Sequence, residues 1–210
     1  MALLTEPAEL GDPGHETSPR EPSDAELIAR SVNDPAAFTA VFDRYADEIV
    51  RYAHSRLGPD LAEDVTAETF LAAFRIRTRY EASRPSARPW LYGIATRQIV
   101  SHRRAEARYR RLLASAPAEL ATENFADRSA ERIAAAALRP QLVSALNGLR
   151  RQDRELLLLT AWGGLSYQES AEALGLTASA VKSRLHRIRN NIRAALGNVN
   201  PLTLPDTEET

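Results

Sequence analysis

The chain has no cysteine. That excludes a disulfide framework, a thiolate metal site and a cysteine nucleophile, and it suits a reducing compartment. No apolar run approaches the ~18 residues that a membrane span requires. The first residues, MALLTEPAELGDPGHETSPREPSD, lack the basic start and apolar stretch of a secretory leader. A soluble, cytoplasmic protein with no membrane insertion is expected. No glycine-rich phosphate loop occurs. His15, His54, His102 and His186 are scattered, so no metal site or cofactor is expected. Strand-type alternation is missing as well, which leaves helices to carry the fold.

The hydrophobic content of 44% is enough for packed cores. The formal net charge of -1 conceals segregation. Glu6, Glu9, Asp12, Glu16, Glu21, Asp24 and Glu26 face only Arg20 in the first 26 residues, and Asp206, Glu208 and Glu209 close the chain. Two basic blocks lie between: Arg97 to Arg111, and TASAVKSRLHRIRNN at Thr177–Asn191, which carries no acid. Charge arguments therefore belong to segments.

Residues 1–22 are rich in Pro, Gly and Glu, the composition of a disordered acidic tail. Helical signals begin at Ser23, three residues before Glu26, which is capping-box spacing. Phe38, Val41, Phe42, Tyr45, Ile49, Tyr52 and Leu57 recur at helical steps, and Gly58-Pro59 ends that helix. A second helix buries Leu61, Val65, Phe70, Leu71 and Phe74 and turns Glu63, Asp64 and Glu68 away. A polar loop with two prolines leads to a third, starting near Pro89 or Trp90, with Arg97, Arg103, Arg104, Arg108, Arg110 and Arg111 along it. Trp90 is expected mostly in the core, with the arginines from Arg97 onward meeting phosphate. Residues 113–132 have weak periodicity and read as a flexible linker whose reach, ~3.5 Å per residue, is about two turns of duplex DNA. Helices are expected near Pro140–Leu149, Gln152–Trp162, Tyr167–Leu174 and Ala178–Leu196, with residues 198–210 as a tail. The fold class is all-α: one helical domain over 23–112 and a second over 133–197.

On a helical wheel, Val181, Leu185, Ile188, Ile192 and Leu196 form one stripe. Ser179, Ser183, His186 and Asn190 lie opposite, flanked by Lys182, Arg187 and Arg193. Cations suit phosphate oxygens, and short hydroxyls and amides suit base edges. Upstream, LSYQESAEALGL reads as a helix stopped at Gly175, with Thr177 capping the next. Leu165, Ala171 and Leu174 are expected to pack against Leu176 and Val181. This is helix-turn-helix spacing. Asp64 and Glu68 share a face four residues apart; with no neighbouring histidine or cysteine in sequence, they suggest a docking face and not a catalytic pair.

Two segments in this order resemble RNA polymerase sigma factors of the sigma-70 family, extracytoplasmic-function (ECF) subfamily. They are AFTAVFDRYADEIVRYAHSRLG…AEDVTAETFLAAFR…RPWLYGIA and LRRQDRELLLLTAWGGLSYQESAEALGLTASAVKSRLHRIR. The resemblance implies no catalytic site. Its partners would be core RNA polymerase, promoter DNA and, in many members, an anti-sigma factor. It assigns Glu63, Asp64 and Glu68 to polymerase docking. Tyr80, Arg84, Trp90, Arg97, Arg103 and Arg104 fall to the melted −10 strand, and Thr177, Ser179, Lys182, Ser183, Arg184, His186 and Arg187 to the −35 element. The rival reading is a stand-alone helix-turn-helix regulator, which would bind duplex DNA as a dimer; the sequence offers no dimerising heptad for it.

Overall fold

The computed structural model describes residues 20–113 and 140–196. The acidic tail up to residue 19, the linker from residue 114 and the C-terminal tail lie outside the described residues.

Helix α1 spans Asp24–Arg30 and starts with the expected capping box. The Ser23 N–H donates to Glu26 Oε2 at 2.6 Å, and the Glu26 N–H donates to Ser23 Oγ at 3.3 Å. A single 3-10 turn at Pro35–Phe38, capped by Asp34, leads into α2, Thr39–Leu57. Gly58 takes a positive φ of 85°, and Pro59 opens α3, Pro59–Arg75. That pairing works because glycine tolerates the left-handed side and proline fits a first helical position, where its missing N–H is no loss. Helix α4 covers Arg88–Leu113, beginning before Trp90 and running to the first residue assigned to the linker.

Val41, Ile49 and Tyr52 of α2, Val65, Phe70 and Ala73 of α3, and Leu91, Tyr92, Ile94 and Ile99 of α4 make the first core. Three expected core residues are not in it; Leu61 is only half-buried, at the start of α3. Phe42 is 42% exposed with its ring edge against Phe70, and Leu71 is 49% exposed. Phe42 and Leu71 sit at the margin of their apolar stripes, where one further step around the helix reaches solvent.

Asp24, counted from sequence only as one of the acids in the first 26 residues, is buried. It accepts hydrogen bonds from Tyr45 Oη at 2.5 Å and the Ala87 N–H at 2.6 Å, and it pairs with Arg44. One carboxylate thus ties α1 to α2 and to the entry of α4.

The second unit comprises α5 (140–148), α6 (Arg151–Ala161), α7 (Tyr167–Leu174) and α8 (Ala178–Ala195). Leu156, Leu157, Ala171, Val181, Leu185, Ile188, Ile192 and Leu196 form its core. The stripe read from the wheel of α8 is the buried one. Leu165 differs from expectation: with Leu159 and Ala173 it joins the core of the first unit. The two units therefore meet along a seam, with α4 packed on α7.

Candidate nucleic-acid interface

Helix α7 begins at Ser166 with a second capping box, which the sequence reading missed although Ser166 and Glu169 have the spacing. The Ser166 N–H donates to Glu169 Oε2 at 2.8 Å, and the Glu169 N–H returns to Ser166 Oγ at 3.2 Å. Gly175 stops α7 in the left-handed conformation, φ 66° and ψ 40°. Thr177 then caps α8, its hydroxyl accepting from the Ala180 N–H at 3.2 Å. Each stop and start is thus locally encoded, and together they set the angle at which α8 leaves the hairpin. Gly175→Val forces a β-branched residue into left-handed backbone. We expect a loss of about 1–2 kcal/mol, read as a lower midpoint in urea unfolding.

The outer face of α8 is open. Thr177, Ser179, Lys182, Ser183, His186 and Arg187 are exposed, and Asn190 Nδ2 donates to His186 Nε2 at 3.0 Å. Not every cation of the basic stretch points outward. Arg184 is half-buried, with Nη1 3.3 Å from Gln152 Oε1 and 3.9 Å from Asp153. Arg189 donates to Tyr167 Oη at 3.2 Å. Arg187 passes 3.5 Å from Asp153 yet stays 59% exposed. Within that stretch Lys182 and Arg187 are therefore the exposed cations, with Ser183 and His186 between them, and Arg193 is exposed just beyond it.

The second basic surface lies on α4. Trp90, expected mostly in the core, is half-buried and stands edge-on to Tyr80, ring centroids 5.0 Å apart. Burial pushes the Tyr80 hydroxyl up to about 12, and its oxygen has no hydrogen-bond partner among the described residues. Arg84 is held at 3.0 Å by Glu81. Arg97 is exposed and has no ion-pair partner among the described residues; the partial desolvation at its root lowers its guanidinium from the usual range. Arg103 is exposed but turned back at its tip, where its Nη2 donates to the Arg56 carbonyl at 2.6 Å. Arg104 is exposed. Arg84, Trp90, Arg97 and Arg104 line a cleft of about 660 Å³, whose far wall carries Arg151 and Arg184.

Glu63, Asp64 and Glu68 are exposed on one side of α3. Glu68 Oε2 lies 2.8 Å from His102 Nε2 of α4, a contact that sequence distance hid. Leu71 continues the stripe that Asp64 and Glu68 begin.

The arrangement is that of a helical DNA-binding protein with two basic faces, one on a helix-turn-helix and one beside an aromatic pair. Residues 41–109 match the family described as Sigma-70 region 2, and residues 139–192 match Sigma-70, region 4. The RNA polymerase sigma factor NccH of Alcaligenes xylosoxydans xylosoxydans is 30% identical over 180 residues, covering 84% of this chain and 96% of that one. The ECF RNA polymerase sigma factor SigD of Mycobacterium tuberculosis (strain ATCC 25618 / H37Rv) is 32% identical over 183 residues, covering 81% and 82%. Among solved structures, CnrH in complex with the cytosolic domain of CnrY superposes with a TM-score of 0.54 at 26% identity, covering 83% of this chain and 97% of that one. The chain belongs to the sigma-70 family of RNA polymerase sigma factors, in its ECF branch.

Proposed function

We propose that this sigma factor divides promoter recognition between its two units and docks on polymerase through a third surface. As an ECF sigma factor the chain binds core RNA polymerase and directs transcription initiation at promoters. The division of labour rests on one observation above all. The second helix of a doubly capped helix-turn-helix presents Lys182, Ser183, His186 and Arg187 to solvent, opposite a stripe that is fully buried. That is the geometry for entering a major groove at the −35 element. Residues 133–197 are the unit so assigned.

Within residues 23–112, Tyr80, Arg84, Trp90, Arg97 and Arg104 are assigned to the opened −10 strand, where aromatic faces and guanidinium groups stack on unpaired bases. Arg103 instead ties α4 to α2 through the Arg56 carbonyl. Strand opening forgoes stacking of about 1.4 kcal/mol per base-pair step, more than so small a domain supplies across several steps, so polymerase must contribute. The role is one of binding and positioning, with no residue assigned a catalytic step.

Glu63, Asp64 and Glu68 form the polymerase-docking face. Exposed Leu71 in the same stripe favours a protein partner over simple solvation, because rims of charge around an apolar residue are typical of interfaces. Asp64→Lys with Glu68→Lys is expected to reduce co-purification with core polymerase more than tenfold, at roughly 1 kcal/mol or more per reversed contact, and to leave helical content unchanged. Unaltered co-purification would remove this face from the assignment. An anti-sigma partner is consistent with the CnrH–CnrY complex. No helix among the described residues is long and apolar enough to cross a membrane. We place the chain in the cytoplasm, with the polymerase and its template. Run-off transcription on genomic DNA with reconstituted core polymerase tests the whole reading. A stand-alone regulator would leave polymerase without new start sites.

A further inference from the structure

The cleft beside Trp90 is unevenly charged. Trp90, Gly93, Arg97 and Arg104 of α4 line it from the first unit, at spacings that put them on one helical face. Arg151 and Glu155 of α6 and Glu172 of α7 line it from the second. Most of the charges around it are already answered. Glu155 Oε2 accepts from Arg56 at 2.6 Å. Arg84 is held by Glu81, and Arg184 is turned toward Gln152 and Asp153. Arg97, Arg104 and Arg151 are exposed and have no ion-pair partner among the described residues.

One acid is incomplete. Glu172 Oε1 accepts from Gln168 Nε2 at 3.3 Å, while Glu172 Oε2 is buried and has no hydrogen-bond partner among the described residues. A buried carboxylate oxygen with no donor is costly, and few such orphans occur in folded proteins. Glu172 lies toward the Trp90 end of the cleft. Its charge adds to burial and to Asp24 in raising the hydroxyl of Tyr80, the ring that stands edge-on to Trp90.

The cleft thus offers an indole and an acceptor without a donor at one end. Toward the other it offers guanidinium groups without an anion. Arg97 lies two turns beyond Trp90, about 10 Å along α4, and Arg104 two turns further. A volume of about 660 Å³ is the size of a small-molecule site.

The chemistry of each part narrows the ligand. A flat aromatic ring stacks on an indole. A carboxylate accepts and cannot donate, so the edge that meets Glu172 carries N–H groups. Guanine presents two adjacent donors on its pairing edge, whereas adenine presents one beside an acceptor that a carboxylate repels. Three guanidinium groups suit several phosphates carried on one sugar, whereas a strand spreads its charge along the backbone. We propose that this cleft binds a guanine nucleotide with two or three phosphates, its base between Trp90 and Glu172 and its phosphates on Arg97, Arg104 and Arg151. The site goes beyond the promoter-reading assignment and stands on the cleft alone. One consequence does rest on that assignment: Trp90, Arg97 and Arg104 are shared, so a bound nucleotide and the opened −10 strand exclude each other.

The test uses the free full-length chain carrying Trp162→Phe, which leaves Trp90 as its only tryptophan. Trp162 is 52% exposed, so its replacement costs the fold little. GTP is the probe, with ATP and inorganic triphosphate for comparison. GTP is expected to quench Trp90 fluorescence saturably and to bind about tenfold more tightly than either, or better. Arg151→Ala lowers affinity for GTP and for triphosphate about tenfold and leaves the preference for guanine over adenine. Glu172→Ala brings GTP and ATP to within about twofold of each other. Should Glu172→Ala lose its helical signal, Glu172→Gln, which keeps the shape and removes the charge, decides in its place. Absence of saturable quenching by GTP, equal binding of GTP and ATP by the parent, or a preference that survives the change at Glu172 overturns the proposal. Binding is read without polymerase or DNA, so guanine-selective quenching together with failed run-off transcription would fault the sigma assignment and keep the site.

Discussion

Lys182→Ala combined with Arg187→Ala is expected to lower run-off transcription from a −35-dependent promoter about a hundredfold, from two contacts at about 1–3 kcal/mol each. Neither side chain supports the fold. Both are exposed on the outer face of α8, opposite Val181, Leu185, Ile188 and Ile192, which are buried. Arg187 comes within 3.5 Å of Asp153, but an ion pair that exposed contributes little to stability. Binding to core polymerase should be unchanged, since the docking acids lie on α3. Salt dependence separates the two modes of contact. A side chain on phosphate reduces the salt slope when removed, and one on a base edge relaxes sequence preference at that position. Normal transcription by the double variant would remove α8 as the reading helix. Arg184→Ala is the internal comparison. Because that side chain is turned toward Gln152 and Asp153, its loss should act mainly on the seating of α8 against α6.

Asp24→Ala is expected to destabilise the first unit by about 3 kcal/mol, in the range for breaking a buried charged pair. Its carboxylate is 4% exposed and gathers Arg44, Tyr45 and the Ala87 N–H. The substitution strands the Ala87 donor and the Tyr45 hydroxyl, although the latter keeps Ser86 Oγ at 2.9 Å. Burial favours the neutral form and pushes the pKa of this group up, but the Ala87 N–H, Tyr45 and Arg44 outweigh it and hold Asp24 below its ordinary value of 3.8. Its contribution is therefore complete above about pH 4, where the unfolded chain is also ionised, and fades as pH falls through the lower folded value. Urea midpoints for parent and Asp24→Asn should lie far apart near neutrality and converge in acid. A constant gap down to pH 2 would show that the carboxylate's charge is not what matters. The same carboxylate also pushes up Tyr45, to about 12, second to burial.

Much of this fold was legible in the residues. Ser23, Gly58-Pro59, Gly175 and Thr177 mark helix ends by chemistry that acts within a few residues, and each sits where that chemistry predicts. The apolar stripe of α8 was readable because a period of 3.6 survives any tertiary context. Other features needed the third dimension. Asp24 looked like one more acid in an acidic run, and nothing local distinguishes a solvated carboxylate from one that will meet Arg44 and Ala87. His102 and Glu68 are on different helices, so sequence could not pair them. Arg184 and Arg103 read as cations on basic helices, yet each turns toward a neighbour that sequence order places far away. Phe42 and Leu71 carried the residue type of a core and the wheel position of its margin, and there the type misled. The seam was least visible of all. Gly93 could have signalled it, since a glycine in mid-helix implies something close by, and a Cβ there would lie 2.7 Å from the Ala173 carbonyl oxygen.

That seam also has a thermal character. Parting the units would bare Leu159, Leu165 and Ala173 to water, and burial of apolar surface strengthens as cold water warms toward ambient temperature. The hydration forgone by Arg56 and Glu155 becomes smaller in the same direction, because charged groups are less favourably solvated when hot. Both effects have one sign, each making the entropy of parting more negative, so chilling, not warming, loosens the grip of one unit on the other.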